Sequence, residues 1–136
     1  MLNIEEVQAF LDGSPFTSLL GLRVVNADFE LQQLSVQMPW QSHLERTRGS
    51  GRIHGGAITS LVDVVGDFAV GMLVGGAVPT VNLRVDFLRP AAAGDLMATA
   101  SVRRLGRTLG VVDTEVSDRD GRIAAIGRCT YSTTVG

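Results

Sequence analysis

Lysine is absent from these 136 residues, so every basic side chain is an arginine. The net charge is −2, which leaves no broad cationic surface for a phosphate backbone and excludes nucleic acid as the main partner. A single cysteine, Cys129, rules out a disulfide within the chain; its place in an alternating apolar run makes it a small buried hydrophobe. Only two histidines are present, His43 and His54, and with one thiol they cannot complete a zinc site, so no metal is expected. The N-terminus has no basic-then-apolar leader pattern, which makes the cytoplasm the expected compartment. Internal repeats and low-complexity tracts are missing as well. One domain is expected across residues 1–136, long enough for a real core.

Between Gly56 and Val81 there is no Lys, Arg, Glu or His. Length and hydropathy suit a membrane span, but Asp63 and Asp67 in its middle would each cost about 2.5–3.5 kcal/mol to insert. A buried helix of a soluble protein, spanning 54–75, fits better, and no membrane partner is expected. At about 100° per residue, Ala57, Ile58, Leu61, Val62, Val64, Val65, Phe68, Ala69, Met72 and Leu73 share one broad side. Gly56, Thr59, Ser60, Asp63, Gly66, Asp67 and Gly71 share the other. Wet helix faces normally carry Lys, Glu, Arg and Gln. This small-residue face therefore predicts close cover by a second chain, or by the edge of the same sheet, with Asp63 in a cleft.

The flanking segments read with two periods. Asn3–x–x–Glu6 is a capping box ahead of helically spaced Val7, Phe10 and Leu11, giving an N-terminal helix within 1–14. Pro15 to Gly21 reads as a short connecting turn or helix. Leu22 to Met38 alternates as two strands joined near Ala27–Glu30, and Gln41 to Ile53 is a polar, Gly- and Arg-containing loop. Beyond Pro79, Val81, Leu83, Val85 and Phe87 alternate with Asn82, Arg84 and Asp86 in a strand stopped at Pro90. Leu96–Leu105, Thr108–Ser117 and Arg122–Thr134 are three further strands, turned at Gly106 and at Asp120–Gly121. The expected fold class is α+β, with an antiparallel sheet of five to six strands wrapped around one long central helix.

Gly55 and Gly56 stand where that helix begins. First-turn N–H groups lack internal partners and sit at the positive end of the helix dipole, so they stabilise negative charge. Two turns on, Asp63 supplies a carboxylate in apolar surroundings. An oxyanion donor and an acid on one helix point to acyl chemistry; Asp67, a turn deeper, is the weaker candidate. Two phosphate motifs fail. Gly49–x–Gly51 meets His54 where a dinucleotide fingerprint needs glycine, and Gly51–x–x–x–x–Gly56 is followed by Ala57 and not by a P-loop lysine. Arginines cluster at Arg46, Arg48 and Arg52 and again at Arg103, Arg104 and Arg107, which suits local anion binding through planar forks.

His54–Gly55–Gly56 followed by Asp63, and Thr80–Val–Asn–Leu–Arg–Val–Asp–Phe–Leu–Arg–Pro90, together resemble the hotdog-fold acyl-CoA thioesterases, in particular the phenylacetate-pathway (PaaI-like) and 4-hydroxybenzoyl-CoA thioesterase group. The resemblance runs from about Phe16 to Tyr131. It implies an acyl-CoA substrate, aromatic or medium-chain, no cofactor beyond the CoA of the substrate, and a homodimer or homotetramer with active sites between subunits. Carried over by position, Asp63 is the nucleophile or general base, the Gly55 N–H the oxyanion donor, and His54 steadies the helix start. Thr80 brings a hydroxyl to the site from the neighbouring subunit. Asn82, Phe87, Leu88, Arg89 and Pro90, with the turn Arg104, Gly106, Arg107 and Thr108, correspond to substrate and CoA contacts. Many relatives carry Asn–x–x–Gly–x–x–His–Gly–Gly, where this chain has Arg48. Arginine accepts no hydrogen bond, so either water is placed differently here or Arg48 binds a carboxylate or phosphate of the substrate. A non-catalytic acyl-CoA- or lipid-binding hotdog protein and a hotdog dehydratase are the alternatives.

Overall fold

The computed structural model describes residues 1–136. Asn3 opens helix α1 (Ile4–Gly13) with a reciprocal cap: its side chain accepts the Glu6 N–H at 2.9 Å, and the Glu6 carboxylate accepts the Asn3 N–H at 2.8 Å. Pro15 starts a second helix, α2 (Pro15–Leu20), in the first turn, where its missing N–H costs nothing. Gly21 ends that helix at φ 66°.

Strands β1 (Arg23–Asp28) and β2 (Gln33–Met38) form a hairpin whose connection, residues 29–32, falls slightly later than the alternation predicts. The polar loop contains a single 3-10 turn, Ser42–Leu44. After the central helix α3 (Gly55–Val74) come β3 (Thr80–Phe87), β4 (Leu96–Leu105), β5 (Leu109–Ser117) and β6 (Ile123–Ser132). All six strands join one antiparallel sheet in the order β1-β2-β4-β5-β6-β3. The sheet curls around α3. Inward positions such as Leu34, Val36, Ala98, Ala100, Val112, Val116, Cys129 and Tyr131 meet Leu61, Val62, Val65 and Ala69 of the helix in one core. Cys129 is fully buried there as a small hydrophobe. Helix α3 is long and apolar enough to cross a membrane by composition alone, but its apolar side is the core of this sheet.

The small residues of α3 divide into two sets. Gly66 lies against the Tyr131 ring, whose hydroxyl occupies the space a Cβ would need, and Gly71 lies against the Gly76 carbonyl. For those two glycines the covering surface belongs to the same chain. Gly56, Thr59, Ser60, Asp63 and Asp67 form the remaining stripe, exposed or half-buried.

The two sheet edges differ. At β1, the Gln8 side chain of α1 accepts the Val24 N–H at 2.8 Å and donates to the Leu22 carbonyl at 2.9 Å, which blunts that edge. No element covers the outer edge of β3, where Val81, Leu83 and Phe87 are exposed.

Gly66→Ala forces a methyl into the Tyr131 hydroxyl and is expected to cost about 1–3 kcal/mol of stability. Urea unfolding checks this, and adding Tyr131→Phe to the same chain is expected to recover part of the loss.

Candidate active site

Four N–H groups at the start of α3 need partners, and His54 supplies three of them. Its Nδ1 accepts the Gly56 N–H at 2.8 Å, and its carbonyl accepts Ala57 at 3.0 Å and Ile58 at 3.4 Å. The Gly55 N–H alone finds no acceptor in the chain. His54 is thus the helix cap, with Nδ1 committed as an acceptor.

The Phe87 ring packs over Gly55, within 3.4 Å of where a Cβ would stand. Arg46, Arg52, Ile58, Leu88, Arg89 and Pro90 complete a groove of about 550 Å³ around that amide. The Leu88 and Arg89 N–H groups both donate to the Ala124 carbonyl, which fastens this rim to β6. The loop beside it is shaped by Glu45, whose two carboxylate oxygens accept the Gly49 and Gly51 N–H groups, each at 2.9 Å. Those glycines have φ of 79° and 69°, conformations that favour glycine. Arg48 stands exposed at the loop tip and does not line the groove.

Asp63 is half-buried in the middle of α3. Its Oδ1 accepts the Thr80 hydroxyl at 2.7 Å, and its backbone carbonyl accepts the Tyr131 hydroxyl at 2.8 Å. The Thr80 that touches this acid belongs to the same chain, where the resemblance implies a hydroxyl from the neighbour. One turn further, Asp67 Oδ1 accepts the Val78 N–H at 2.9 Å. Burial pushes the Asp67 carboxyl up to about 7; the Val78 N–H opposes this and the charge of Asp63 adds to it.

Several expected residues lie elsewhere. A bulge between Thr80 and Asn82 shifts the β3 register, so Leu83, Val85 and Phe87 pair with the inward-facing row of β6 while Asn82 pairs with Thr130. Asn82 therefore belongs to the outer row with Arg84 and Asp86, away from α3. The turn carrying Arg104, Gly106, Arg107 and Thr108 is tied to Thr133, at the Thr80 end of the sheet. It is at the opposite end from Phe87–Pro90. Gly55 and Asp63 are separated too: eight residues of helix advance about 12 Å. One chain thus holds an amide with a groove at one end and a clamped acid at the other.

Tyr131 and Glu45 were not predicted from the sequence. Tyr131 carries one signal, being the only tyrosine and falling at an inward position two residues after Cys129. Glu45 carries none.

A single antiparallel sheet rolled about one helix, with a free amide at its start and a hydroxyl-clamped acid within it, defines the hotdog class of acyl-thioester enzymes. A profile described as Thioesterase superfamily matches residues 50–125, more than half the chain. The protein belongs to that family and is a thioester hydrolase. The acyl-coenzyme A thioesterase PaaI of Escherichia coli is 29% identical, over 91% of this chain and 86% of PaaI. The solved structure of that PaaI protein, from the phenylacetic acid degradation operon, superposes with a TM-score of 0.83 at 28% identity, covering 97% of this chain and 93% of that one. An X-ray structure of another thioesterase-superfamily protein has a TM-score of 0.89 at 34% identity, covering 95% and 96%. The medium/long-chain acyl-CoA thioesterase YigI of Salmonella typhimurium is 27% identical, over 91% of this chain and 88% of YigI.

Removing the Thr80 hydroxyl from Asp63 as Thr80→Val is expected to cut turnover of an acyl-CoA about tenfold, the scale of one hydrogen bond to a charged group. Thr80→Ser keeps the bond and most of the rate. Equal rates for Thr80→Val and wild type, in a thiol-release assay, would remove the hydroxyl from the site.

Proposed function

We propose that two copies of this chain pair along β3 and hydrolyse an aromatic or medium-chain acyl-CoA in sites that each copy half supplies. The observation that carries this is the unclaimed Gly55 N–H at the head of α3, about 12 Å from Asp63 on the same helix. A donor and an acid acting on one carbonyl must lie within a few ångströms of it, so the two roles fall to different copies. The open edge of β3 supplies the means. Antiparallel pairing about a two-fold axis sets Thr80 of one copy opposite Phe87 of the other. Asp63, clamped by Thr80, then faces the groove around Gly55 of the second copy. The turn with Arg104 and Arg107 comes to the same side as the second copy's Phe87–Pro90, which gathers the CoA contacts into one place.

In this site the Gly55 N–H holds the thioester oxygen as negative charge develops on it; losing such a donor costs about 3 kcal/mol of barrier. Asp63 attacks the carbonyl carbon directly, or takes a proton from a water that does. Either way a carbon–oxygen bond forms and the carbon–sulfur bond breaks; on the direct route water then hydrolyses the acyl–Asp63 anhydride to regenerate the carboxylate, and on both routes a proton from that water ends on the sulfur as the CoA thiol. Water is the only co-reactant. Arg46, Arg52, Arg89, Arg104 and Arg107 take part in no ion pair within the chain and are free for CoA phosphates. Arg48, also unpaired, is exposed outside the groove, which suits an outlying phosphate of the substrate better than the reacting carbonyl. The reaction places the enzyme with its substrate in the cytoplasm.

A dehydratase would need His54 as a base near the substrate carbon, whereas its Nδ1 is spent on the helix cap. A binding module would have no use for the Thr80–Asp63 clamp. A panel of acyl-CoAs with a thiol reagent separates these: tight binding with no thiol released supports the module and overturns hydrolysis.

Asp63→Asn is expected to remove turnover while acyl-CoA binding and folding survive. Gly55→Pro removes the amide hydrogen at a first helical position that proline suits; His54 before it is already extended, with ψ 134°, and a Cβ there meets the Phe87 ring in ordinary contact at 3.4 Å. It is expected to lose about 10²–10³ in kcat. Mixed, the two inactive proteins regain about one quarter of wild-type activity if each site draws on both copies. No recovery after subunit exchange, or an active monomer in sedimentation, overturns the shared site. Sedimentation also separates a dimer from a dimer of dimers.

A further inference from the structure

We propose that Asp67 is a positioning residue for the reaction, fastening the start of β3 so that Thr80 meets Asp63 and tuning the reactivity of Asp63 through its own negative charge. This rests on Asp63 being the reacting carboxylate.

The geometry has two parts. Asp67 Oδ1 accepts the Val78 N–H at 2.9 Å, two residues before the threonine whose hydroxyl reaches Asp63 at 2.7 Å. The two acids thus hold one short segment at two points. Asp67 also follows Asp63 by four residues on the same half-buried stripe, a spacing that brings helix side chains to about 5–6 Å between Cβ atoms. Nothing of opposite sign stands beside it. Asp63 is the charged neighbour on its own helix. From β6 the titratable neighbours are Tyr131 and Cys129, both held neutral because burial pushes the phenol and the thiol up. The α3–β3 connection offers only the Val78 N–H, and all six ion pairs of the chain lie elsewhere.

The sign of the effect follows from where charge moves. As Asp63 attacks, or as it takes a proton from water, negative charge leaves it for the oxygen held at Gly55. A second negative charge one turn away raises the energy of ionised Asp63 more than that of a transition state whose charge has moved off. Ionised Asp67 therefore speeds the step, and protonated Asp67 slows it. Burial places this change near pH 7, where Asp67 carries its proton part of the time. The same sign holds for nucleophilic and general-base action.

The test is kcat against pH from 5.5 to 9 for wild type and Asp67→Asn with one acyl-CoA. Wild type is expected to rise several-fold about a midpoint near 7. Asp67→Asn keeps a carbonyl acceptor for the Val78 N–H, so KM holds while kcat stays on the lower plateau throughout. A merely structural acid predicts identical profiles; a rise that survives in Asp67→Asn overturns the proposal. Should that variant fail to fold, carbon-13 carboxyl titration decides: a wild-type aspartate midpoint near 7 that moves down in Asp63→Asn supports the coupling, and an unmoved midpoint overturns it. Turnover by Asp63→Asn would sink the reading of Asp63 as the reacting carboxylate. An inactive Asp63→Asn with an unchanged profile for Asp67→Asn sinks this inference alone.

Discussion

Eight residues of α-helix separate Gly55 from Asp63, and a helix advances about 1.5 Å for each. That rise cannot be shortened without breaking the helix, and α3 runs unbroken from Gly55 to Val74. The two groups best suited to thioester chemistry are therefore held apart by the most rigid element of the fold. Other features follow the same division. Phe87, Leu88 and three arginines gather at the amide end, while Thr80 and Val78 gather at the acid end. Strand β3 runs between the two ends with its outer edge bare. In the proposed dimer, that edge joins what the helix keeps separate.

Close packing inside the chain is what lets the acid end exist. Tyr131 can reach the Asp63 carbonyl only because residue 66 has no side chain, and Gly127 admits Val62 in the same way on the neighbouring turn. The helix consequently lies flush on β6, and its orientation about its own axis is set by core contacts. Asp63 and Asp67 are then turned outward on one stripe, half in protein and half toward whatever lies beyond β3. A larger residue at position 66 would lift the helix off the sheet and move both acids relative to Thr80 and Val78.

Most of this was legible in the sequence, for reasons that can be named residue by residue. The six strands follow from alternation, α1 from its capping box, and α3 from a long apolar run with a glycine pair at its end. The HGG start and Asp63 were legible because backbone donors and a lone acid in apolar surroundings each carry a chemical meaning. Alternation already set Asn82 in the outer row with Arg84 and Asp86, and only the resemblance made it a substrate contact; what alternation missed is the bulge between Thr80 and Asn82, which puts Thr80 in the inward row opposite Tyr131. The Arg104–Thr108 turn and the Phe87–Pro90 rim were grouped as one set of contacts but occupy opposite ends of the sheet, since nothing local says which ends they take. Tyr131 and Glu45 act through long-range and loop contacts that no spacing rule encodes. The small-residue face was read as one surface covered by a second chain or by the same sheet, whereas two of its seven residues pack within the chain, Gly66 on Tyr131 and Gly71 on the Gly76 carbonyl.

The arginines carry the last step. Twelve are present and there is no lysine. Six are paired with carboxylates: Arg23, Arg84, Arg103, Arg119, Arg122 and Arg128. Two of these, Arg103 and Arg128, both hold Asp113 on the outer face of the sheet, and the Arg128 hydrogen bond keeps that carboxyl below the usual range. The other six, Arg46, Arg48, Arg52, Arg89, Arg104 and Arg107, are all unpaired. They do not scatter. Three line the groove at the start of α3, Arg48 stands exposed at the tip of the loop before it, and two sit on the β4–β5 turn at the far end of the sheet. A solvated coat of charge would mix both kinds everywhere; a charge reserved for an anionic ligand would be left unpaired and concentrated where that ligand lies. In the proposed dimer, joined antiparallel along β3, the three from one copy's groove and the two from the other copy's turn fall on the same side of the same cleft. The polyanionic end of CoA is a ligand of matching charge and length. The placement of unpaired cations and the separation of Gly55 from Asp63 thus both suit the proposed symmetry, although each follows from a different part of the chain.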